Sequence, residues 1–218
     1  IPHLLCGSGT NGGKTTLLKT LLWQCIMKQA TVIIADFKGG VDFPMIWREK
    51  CELITTPEKL SGKLEKVLEI MEERRKKLEK SACRNIYEYN EKNEEQLNRI
   101  IIAIDEIAEV LDKTGMDKDE KTLVAQIEKQ LSTVARQGRA FGEHLFVCTQ
   151  RPDAEVLKGQ IKNNIGYRIC GRADKVLSGI VLDNQDAAEK IPKDGKGIFL
   201  TNSGVLFKAY YLDETTLK

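Results

Sequence analysis

Residues 7–16 read Gly7-Ser8-Gly9-Thr10-Asn11-Gly12-Gly13-Lys14-Thr15-Thr16, and this stretch decides the fold. It lies between an apolar, strand-like run at residues 4–6 and a segment at residues 15–27 that we predict to be helical. Glycines allow backbone N–H groups to turn inward around phosphates, and the amino end of a helix adds a favourable dipole. The alternative is a glycine-rich loop that arose by chance. Such a loop would have no reason to lie between a strand and a helix and to end in Gly-Lys-Thr. The context therefore predicts a phosphate-binding loop.

Two residues of this loop have specific expected roles. Lys14 supplies a point charge to the outer phosphates of ATP, and the Thr15 hydroxyl is a predicted Mg²⁺ ligand. One residue departs from the strict pattern, because Ser8 stands where a glycine is usual. We treat that departure as a tolerated variation. The predicted nucleotide-binding residues are Gly9, Thr10, Asn11, Gly12, Gly13, Lys14, Thr15 and Thr16.

A second signal is the acidic pair Asp105 and Glu106, which closes the most apolar strand-like run of the chain, residues 99–105. We expect Asp105 to hold the Mg²⁺ ion, directly or through water, and Glu106 to act as the general base for the attacking water. The pair could instead begin a helix, where acids are stabilised by the dipole. Together with the phosphate loop it favours ATP hydrolysis. The adjacent Glu106, and the absence of an Asn-Lys-x-Asp sequence, argue against a GTPase.

A third signal is Thr149-Gln150-Arg151-Pro152, which ends the next strand-like run. A polar side chain at that point can hydrogen-bond the γ-phosphate or the lytic water, and Gln150 is the candidate. The alternative is an amide that only satisfies the backbone at the strand end.

Strand-like and helical runs alternate along the chain, which is typical of a parallel sheet covered by helices. Residues 31–36 form a β-branched run that fits a buried strand. Thr56 and Pro57 are the predicted N-cap and first residue of a helix. Residues 198–200 and 205–210 predict a closing hairpin. We predict the α/β class, with a central, mainly parallel sheet, helices on both faces and one domain over residues 1–218.

Composition sets limits on the function. The chain has 218 residues, a formal net charge of +2, 41% hydrophobic and 30% charged residues, as in ordinary soluble proteins. Nucleic acid would therefore have to be bound by a local patch or a shared pore.

The six cysteines are widely spaced and the only histidines are His3 and His144, which makes a zinc site improbable and favours reduced thiols. No apolar run approaches the ~20 residues of a membrane span. Because the chain opens at Ile1 inside a strand-like run, we expect a fragment of a longer protein.

The sequence resembles the FtsK/SpoIIIE family of DNA-pumping ATPases over nearly its whole length. The stretches that carry the resemblance are Ile1-Pro2-His3-Leu4-Leu5, Asp36-Phe37-Lys38-Gly39-Gly40, Met71-Glu72-Glu73-Arg74, Asn85-Ile86-Tyr87-Glu88-Tyr89-Asn90, Ile104-Asp105-Glu106-Ile107-Ala108, Gly138-Arg139-Ala140-Phe141-Gly142-Glu143-His144-Leu145, Thr149-Gln150-Arg151-Pro152 and Gly159-Gln160-Ile161-Lys162-Asn163-Asn164-Ile165. The segment 36–47 is more similar to relatives on mobile elements or in type VII secretion than to chromosome pumps.

The resemblance implies a RecA-like P-loop NTPase domain that assembles as a homo-hexameric ring around double-stranded DNA. It implies ATP and Mg²⁺ at the subunit interfaces, completed by an arginine from the neighbour. Arg139 occupies the matching position, and Arg136 is the second candidate. The alternative is that Arg139 is only an exposed residue on the polar face of an amphipathic helix. An arginine supplied in this way neutralises charge on the transferring phosphate.

Three hypotheses about the cargo stay open. The first is a double-stranded DNA translocase, with Lys158, Lys162 and Lys175 as weak candidates for phosphate contacts. The second is a conjugative coupling protein that moves single-stranded DNA, and the third is a type VII secretion ATPase that acts on polypeptide. In each of them we expect a cytoplasmic domain without membrane contact of its own, belonging to a bacterial protein that could be membrane-anchored elsewhere.

Overall fold

The computed structural model describes residues 3–150 and 159–217. Its described strands form one eight-stranded sheet in the order β3-β2-β4-β5-β1-β6-β7-β8. The strands are β1 (Leu4–Gly7), β2 (Thr31–Ala35), β3 (Glu52–Ile54), β4 (Ile100–Ile104), β5 (Glu143–Thr149), β6 (Tyr167–Cys170), β7 (Ile198–Thr201) and β8 (Leu206–Lys208). Every pairing from β3 to β6 is parallel, whereas β7 and β8 pair antiparallel. The mainly parallel sheet and the closing hairpin are both confirmed.

The helices connect these strands and cover both faces of the sheet, as predicted. They are α1 (Lys14–Met27), α2 (Met45–Lys50), α3 (Pro57–Lys80), α4 (Ile86–Lys92), α5 (Ala108–Leu111), α6 (Lys118–Phe141), α7 (Gly159–Lys162), α8 (Lys175–Leu182) and α9 (Asp186–Lys190), with a 3₁₀ helix at Glu214–Thr216. Thr56 caps α3 by accepting a hydrogen bond from the Lys59 amide, with Pro57 as the first helical residue, so that prediction is confirmed.

Two hydrophobic clusters lie on opposite faces of the sheet because side chains alternate along each strand. One cluster holds Ile102 and Ile104 of β4 and packs against α3, α6, α8 and α9. The other holds Ile101 and Ala103 of the same strand and packs against α1 and α2. The second face, which carries α1, is called the α1 face below.

The charged run at residues 72–77 is not solvated throughout. Its neighbours Glu73 and Arg75 on α3 are exposed, but Arg74 is buried and donates hydrogen bonds of 2.7 Å to the carbonyl oxygens of Phe141 and Asn98. Its guanidinium also lies 3.1 Å from the buried carboxylate of Glu143 at the start of β5. Arg74 therefore ties α3 to the amino end of the sheet, a role that periodicity alone could not assign.

Candidate active site

The glycine-rich loop follows the carboxyl end of β1, between β5 and β6 on the two sides. Its turn depends on left-handed backbone at Asn11 (φ 61°) and Gly13 (φ 99°). Helix α1 then begins at Lys14 without a side-chain cap and without an acidic residue in its first turn. The amides of that turn have no partner within the helix. They are available to an anionic ligand, and nucleotide binding by Lys14, Thr15 and Thr16 stays a prediction.

Ser8 fits because two glycines make room for its side chain. It is fully buried, and its hydroxyl lies 3.3 Å from the carbonyl oxygen of Arg172. A Cβ on Gly12 would come within 1.9 Å of the Ser8 hydroxyl, and one on Gly171 within 2.8 Å. The serine at position 8, where the strict pattern has glycine, is therefore accommodated by the space at Gly12 and Gly171.

The carboxyl-terminal third of the chain supports the loop from outside. Arg172 donates hydrogen bonds to the carbonyl oxygens of Thr10, at 2.6 Å, and Lys193, at 2.9 Å. Its own carbonyl oxygen accepts from the Gly9 amide at 2.7 Å, and Gly197 donates to the Gly12 carbonyl at 3.0 Å. Sequence reasoning missed this support, because no local signal places residues so far along the chain beside the loop.

Lys14, Thr15 and Asp105 converge at the carboxyl edge of the sheet. The Lys14 ammonium lies 2.9 Å from Asp105 Oδ1 and also donates to the Asp105 carbonyl oxygen, while Thr15 Oγ1 lies 3.1 Å from the same Oδ1. Burial alone would lower the pKa of Lys14, but the adjacent acidic groups, chiefly the carboxylate of Asp105, outweigh it and the net shift is upward. The lysine therefore stays charged.

The same residues fit a magnesium site. Among the described residues, the second carboxylate oxygen of Asp105 is buried without a hydrogen-bond partner. Hydroxyl and carboxylate oxygens are the ligands that Mg²⁺ takes in nucleotide sites, usually with several waters and the phosphates. Thr15 and Asp105, the predicted metal ligands, are thus brought together.

Glu106 lies beside the end of β5, where its carboxylate accepts two short hydrogen bonds, in addition to a longer one of 3.4 Å from the Ala108 amide. The Thr149 hydroxyl donates to Oε1 at 2.9 Å and the Gln150 amide donates to Oε2 at 2.7 Å. The predicted base and the predicted sensor segment are therefore in direct contact. The contact uses the backbone of Gln150, and the hydroxyl of Thr149 is a partner that the sequence analysis did not single out.

Arg139 lies at the opposite edge of the sheet from the loop of its own chain. It is exposed near the end of α6 and lines a cleft of about 980 Å³ together with Lys28, Arg84, Arg99 and Arg136. Helix α1 runs from the loop to this cleft, and its 14 residues span about 21 Å. The described lining of the cleft includes no aspartate or glutamate. Arg139 and Arg136 therefore cannot reach the phosphate loop of their own chain, but they present positive charge outward.

The three lysines proposed for DNA contact fall in different settings. Lys158 lies outside the described residues. Lys162 is 2.6 Å from Asp183, and its side chain is only 17% exposed, so this ammonium is already paired. Lys175 is exposed in the first turn of α8. The role of the three lysines in DNA binding stays a prediction.

A glycine-rich loop on β1, an acidic pair on β4 and a mainly parallel sheet with helices on both faces define a P-loop ATPase. The chain belongs to the FtsK/SpoIIIE family, whose sequence model matches residues 1–154. The DNA translocase FtsK of Helicobacter pylori is 30% identical over the whole chain, which spans only 26% of that protein. In the part of the chain that is described, no helix is long and apolar enough to cross a membrane.

Solved structures extend this likeness. The pCW3 conjugation coupling protein TcpA, in a monomer form with ATPγS, superposes with a TM-score of 0.92 at 41% identity, over 98% of this chain and 61% of that one. The cytoplasmic domain of the type VII secretion ATPase EccC from Thermomonospora curvata gives a TM-score of 0.77 at 25% identity, over 99% of this chain and 26% of that one. The predicted RecA-like P-loop architecture is confirmed.

Proposed function

We propose that this chain is the ATP-hydrolysing motor domain of a protein that translocates double-stranded DNA as a hexameric ring. The observation that carries the proposal is the convergence of Lys14, Thr15 and Asp105 on one point, with Glu106 directly after Asp105 in sequence. The family and its curated relatives, which are named DNA translocases, support the choice of DNA as the cargo.

In this proposal the first-turn amides of α1 hold the phosphates, and Thr15 and Asp105 hold Mg²⁺. The ion would neutralise charge between the outer phosphates. Lys14 now donates to Asp105, so it exchanges that carboxylate for phosphate oxygens when the nucleotide binds. The exchange is favourable because the phosphates bring more negative charge than one carboxylate.

Glu106 is the proposed general base, which takes a proton from the attacking water at one carboxylate oxygen. At present both oxygens accept hydrogen bonds from β5 and the residue after it. The carboxylate must turn away from at least one of these donors to face a water. The Gln150 amide is one of these donors. Movement of Gln150 on nucleotide binding would therefore free a carboxylate oxygen of Glu106 to accept a proton from water. Gln150 is the proposed sensor for that reason.

A ring explains the position of Arg139. In the proposed ring, we place the amino edge of one sheet against the phosphate loop of the next subunit, so that the cleft of Arg139 and Arg136 closes over the neighbour's nucleotide. A chain of net charge +2 is expected to bind DNA only weakly by itself. Simultaneous contacts from several subunits of a ring would raise the overall affinity for DNA. A cytoplasmic location follows from the proposal, since ATP and DNA are both available there.

A conjugative coupling role for single-stranded DNA is the second candidate. It is favoured by the 41% identity and the TM-score of 0.92 to a conjugation coupling protein. A secretion role on polypeptide has weaker support, from the 25% identity to a type VII ATPase.

The test compares ATP hydrolysis without DNA, with a blunt duplex and with a single strand of the same sequence. Protein concentration is raised until light scattering reports an assembled ring. We expect the duplex to stimulate hydrolysis at least tenfold and the single strand to have less effect. The reverse order would favour the coupling role, and an assembled ring that is indifferent to both would remove DNA as the cargo.

A further inference from the structure

Asp36 directly follows β2, just as Asp105 directly follows β4. Ala35, the last residue of β2, pairs in parallel register with Ile104, the last residue of β4. The Asp105 amide donates to the Ala35 carbonyl oxygen at 3.1 Å, which continues the register one residue further. Neighbouring strands are about 4.8 Å apart. Asp36 and Asp105 therefore leave the sheet side by side.

The two carboxylates also lie on the same face. Side chains alternate along a strand, and Ile34 of β2 and Ala103 of β4 both belong to the hydrophobic cluster on the α1 face. Asp36 and Asp105 come two residues later on their strands, so both point to the α1 face. This is the face from which α1 delivers Lys14 and Thr15 to Asp105.

Both carboxylates are buried and each keeps one oxygen without a partner. Asp36 is 2% exposed and Asp105 is 1% exposed. One oxygen of Asp36 accepts a hydrogen bond from the Lys38 amide at 3.0 Å, but its other oxygen, like that of Asp105, has no hydrogen-bond partner among the described residues. A buried carboxylate oxygen without a protein partner is costly, and binding of a water or an ion is one way to offset that cost.

We propose that Asp36 is the second carboxylate of the magnesium site and accepts hydrogen bonds from water molecules bound to the ion. The inference rests on the nucleotide site of the proposed function and adds to it. Mg²⁺ keeps several waters when it binds one carboxylate and the phosphates. Once Lys14 has moved to the phosphates, two adjacent negative side chains remain, and a hydrated cation between them satisfies both free oxygens.

The test variant is Asp36→Asn, with Asp42→Asn as the matched control. Asparagine keeps an oxygen for the Lys38 amide, so the local turn is retained while the charge is lost. Asp42 is exposed on the same segment. Binding of Mn²⁺ in the presence of ATPγS is followed by the electron paramagnetic resonance of the free ion. We expect Asp36→Asn to weaken Mn²⁺ binding about tenfold or more, the usual cost of losing an outer partner of a metal site. We expect Asp42→Asn to match the wild type.

The outcomes separate this inference from the proposal on which it rests. Wild-type protein that binds no Mn²⁺ with ATPγS would overturn the nucleotide site itself. Wild-type binding that is lost in Asp105→Asn but stays within twofold in Asp36→Asn would overturn the role of Asp36 alone. Thermal unfolding of each variant checks that Asp36→Asn is folded, and an Asp36→Ser variant repeats the measurement if it is not.

Discussion

The backbone amide of Gln150 donates a 2.7 Å hydrogen bond to the carboxylate of Glu106, which joins the end of β5 to the acidic pair on β4. A second donor, the Thr149 hydroxyl, binds the other oxygen of the same carboxylate at 2.9 Å. The proposed base is thus held by the segment that is expected to sense the γ-phosphate. The end of β5 and the residue after it therefore fix the position of the Glu106 carboxylate and occupy both of its oxygens.

Glu106→Gln should abolish turnover and keep nucleotide binding. The amide has nearly the same shape but cannot take a proton from water, so we expect hydrolysis to fall at least ~100-fold. ATP affinity, measured by fluorescence with a labelled analogue, should change less than about threefold. Normal hydrolysis by this variant would show that another group is the base, and Glu109→Gln, a change to an exposed acid in the following helix, is the control.

Thr149→Val should destabilise the fold more than Thr149→Ser. Valine has the shape of threonine but removes a donor to the buried carboxylate of Glu106, which costs about 1–3 kcal/mol. Serine keeps the hydroxyl. The free energy of unfolding of the two variants in urea, without nucleotide, measures the difference. Equal stability of the two variants would mean that the hydrogen bond has no energetic weight.

Lys14→Met should lower stability in the absence of nucleotide, because it leaves the buried carboxylate of Asp105 without its counter-charge. Breaking one side of a buried ion pair costs about 3–5 kcal/mol. Adding Asp105→Asn should recover part of that loss. Both variants should fail to bind ATP. A double variant that unfolds as readily as Lys14→Met alone would contradict the coupling of the two residues.

Arg139→Ala should be inactive alone and should regain activity when mixed with Lys14→Ala. In a mixed ring, a Lys14→Ala subunit can offer its Arg139 to the intact nucleotide of an Arg139→Ala neighbour. An arginine of this kind is worth about 10³–10⁵ in rate, so even a few hybrid interfaces are detectable. Lys121→Ala, at the other end of α6, is the control and should be active alone. Mixtures as inactive as the separate variants would exclude action between subunits.

His3 should make the fold lose stability as the pH falls. Burial, with smaller effects of His144 and Arg139, lowers the pKa of His3 to about 4, against an ordinary value of 6.5. Below pH 6.5 the unfolded chain takes up a proton that the folded chain refuses, so stability is lost between about 6.5 and 4. His3→Asn, whose oxygen can still accept from the Leu145 amide, should show a loss that is smaller, by an amount on the order of 2 kcal/mol, between pH 7 and pH 4.5. Parallel curves of unfolding free energy against pH would contradict the assignment.

Sequence reasoning reached the central elements because their signals are local. The loop at residues 7–16, the apolar strand before Asp105 and the cap at Thr56 each combine residue type with immediate context. The short strands Glu52–Ile54 and Tyr167–Cys170 were not predicted. Three or four residues of mixed polarity carry too little periodicity to be recognised as strands.

The missing parts of the site have a different cause. Asp36, which we propose as part of the site, follows a buried strand as Asp105 does, but the pairing of β2 with β4 that brings the two together follows from the strand order, which sequence patterns do not give. Arg172 reaches the loop only because β6 lies next to β1. The Thr149 hydroxyl is aimed at Glu106 by the pairing of β4 with β5. In all three, a residue acquires its partner through tertiary structure.

The hydrogen bonds from Arg172 and Gly197 to the loop link it to the closing hairpin. Both residues lie beyond residue 154, and Gly197 also accepts from Ala209, which follows the last strand of the hairpin. A force on the hairpin would therefore be passed through Gly197 to the predicted phosphate-binding turn. The shape of that turn thus depends on residues far along the chain that need not contact a nucleotide themselves.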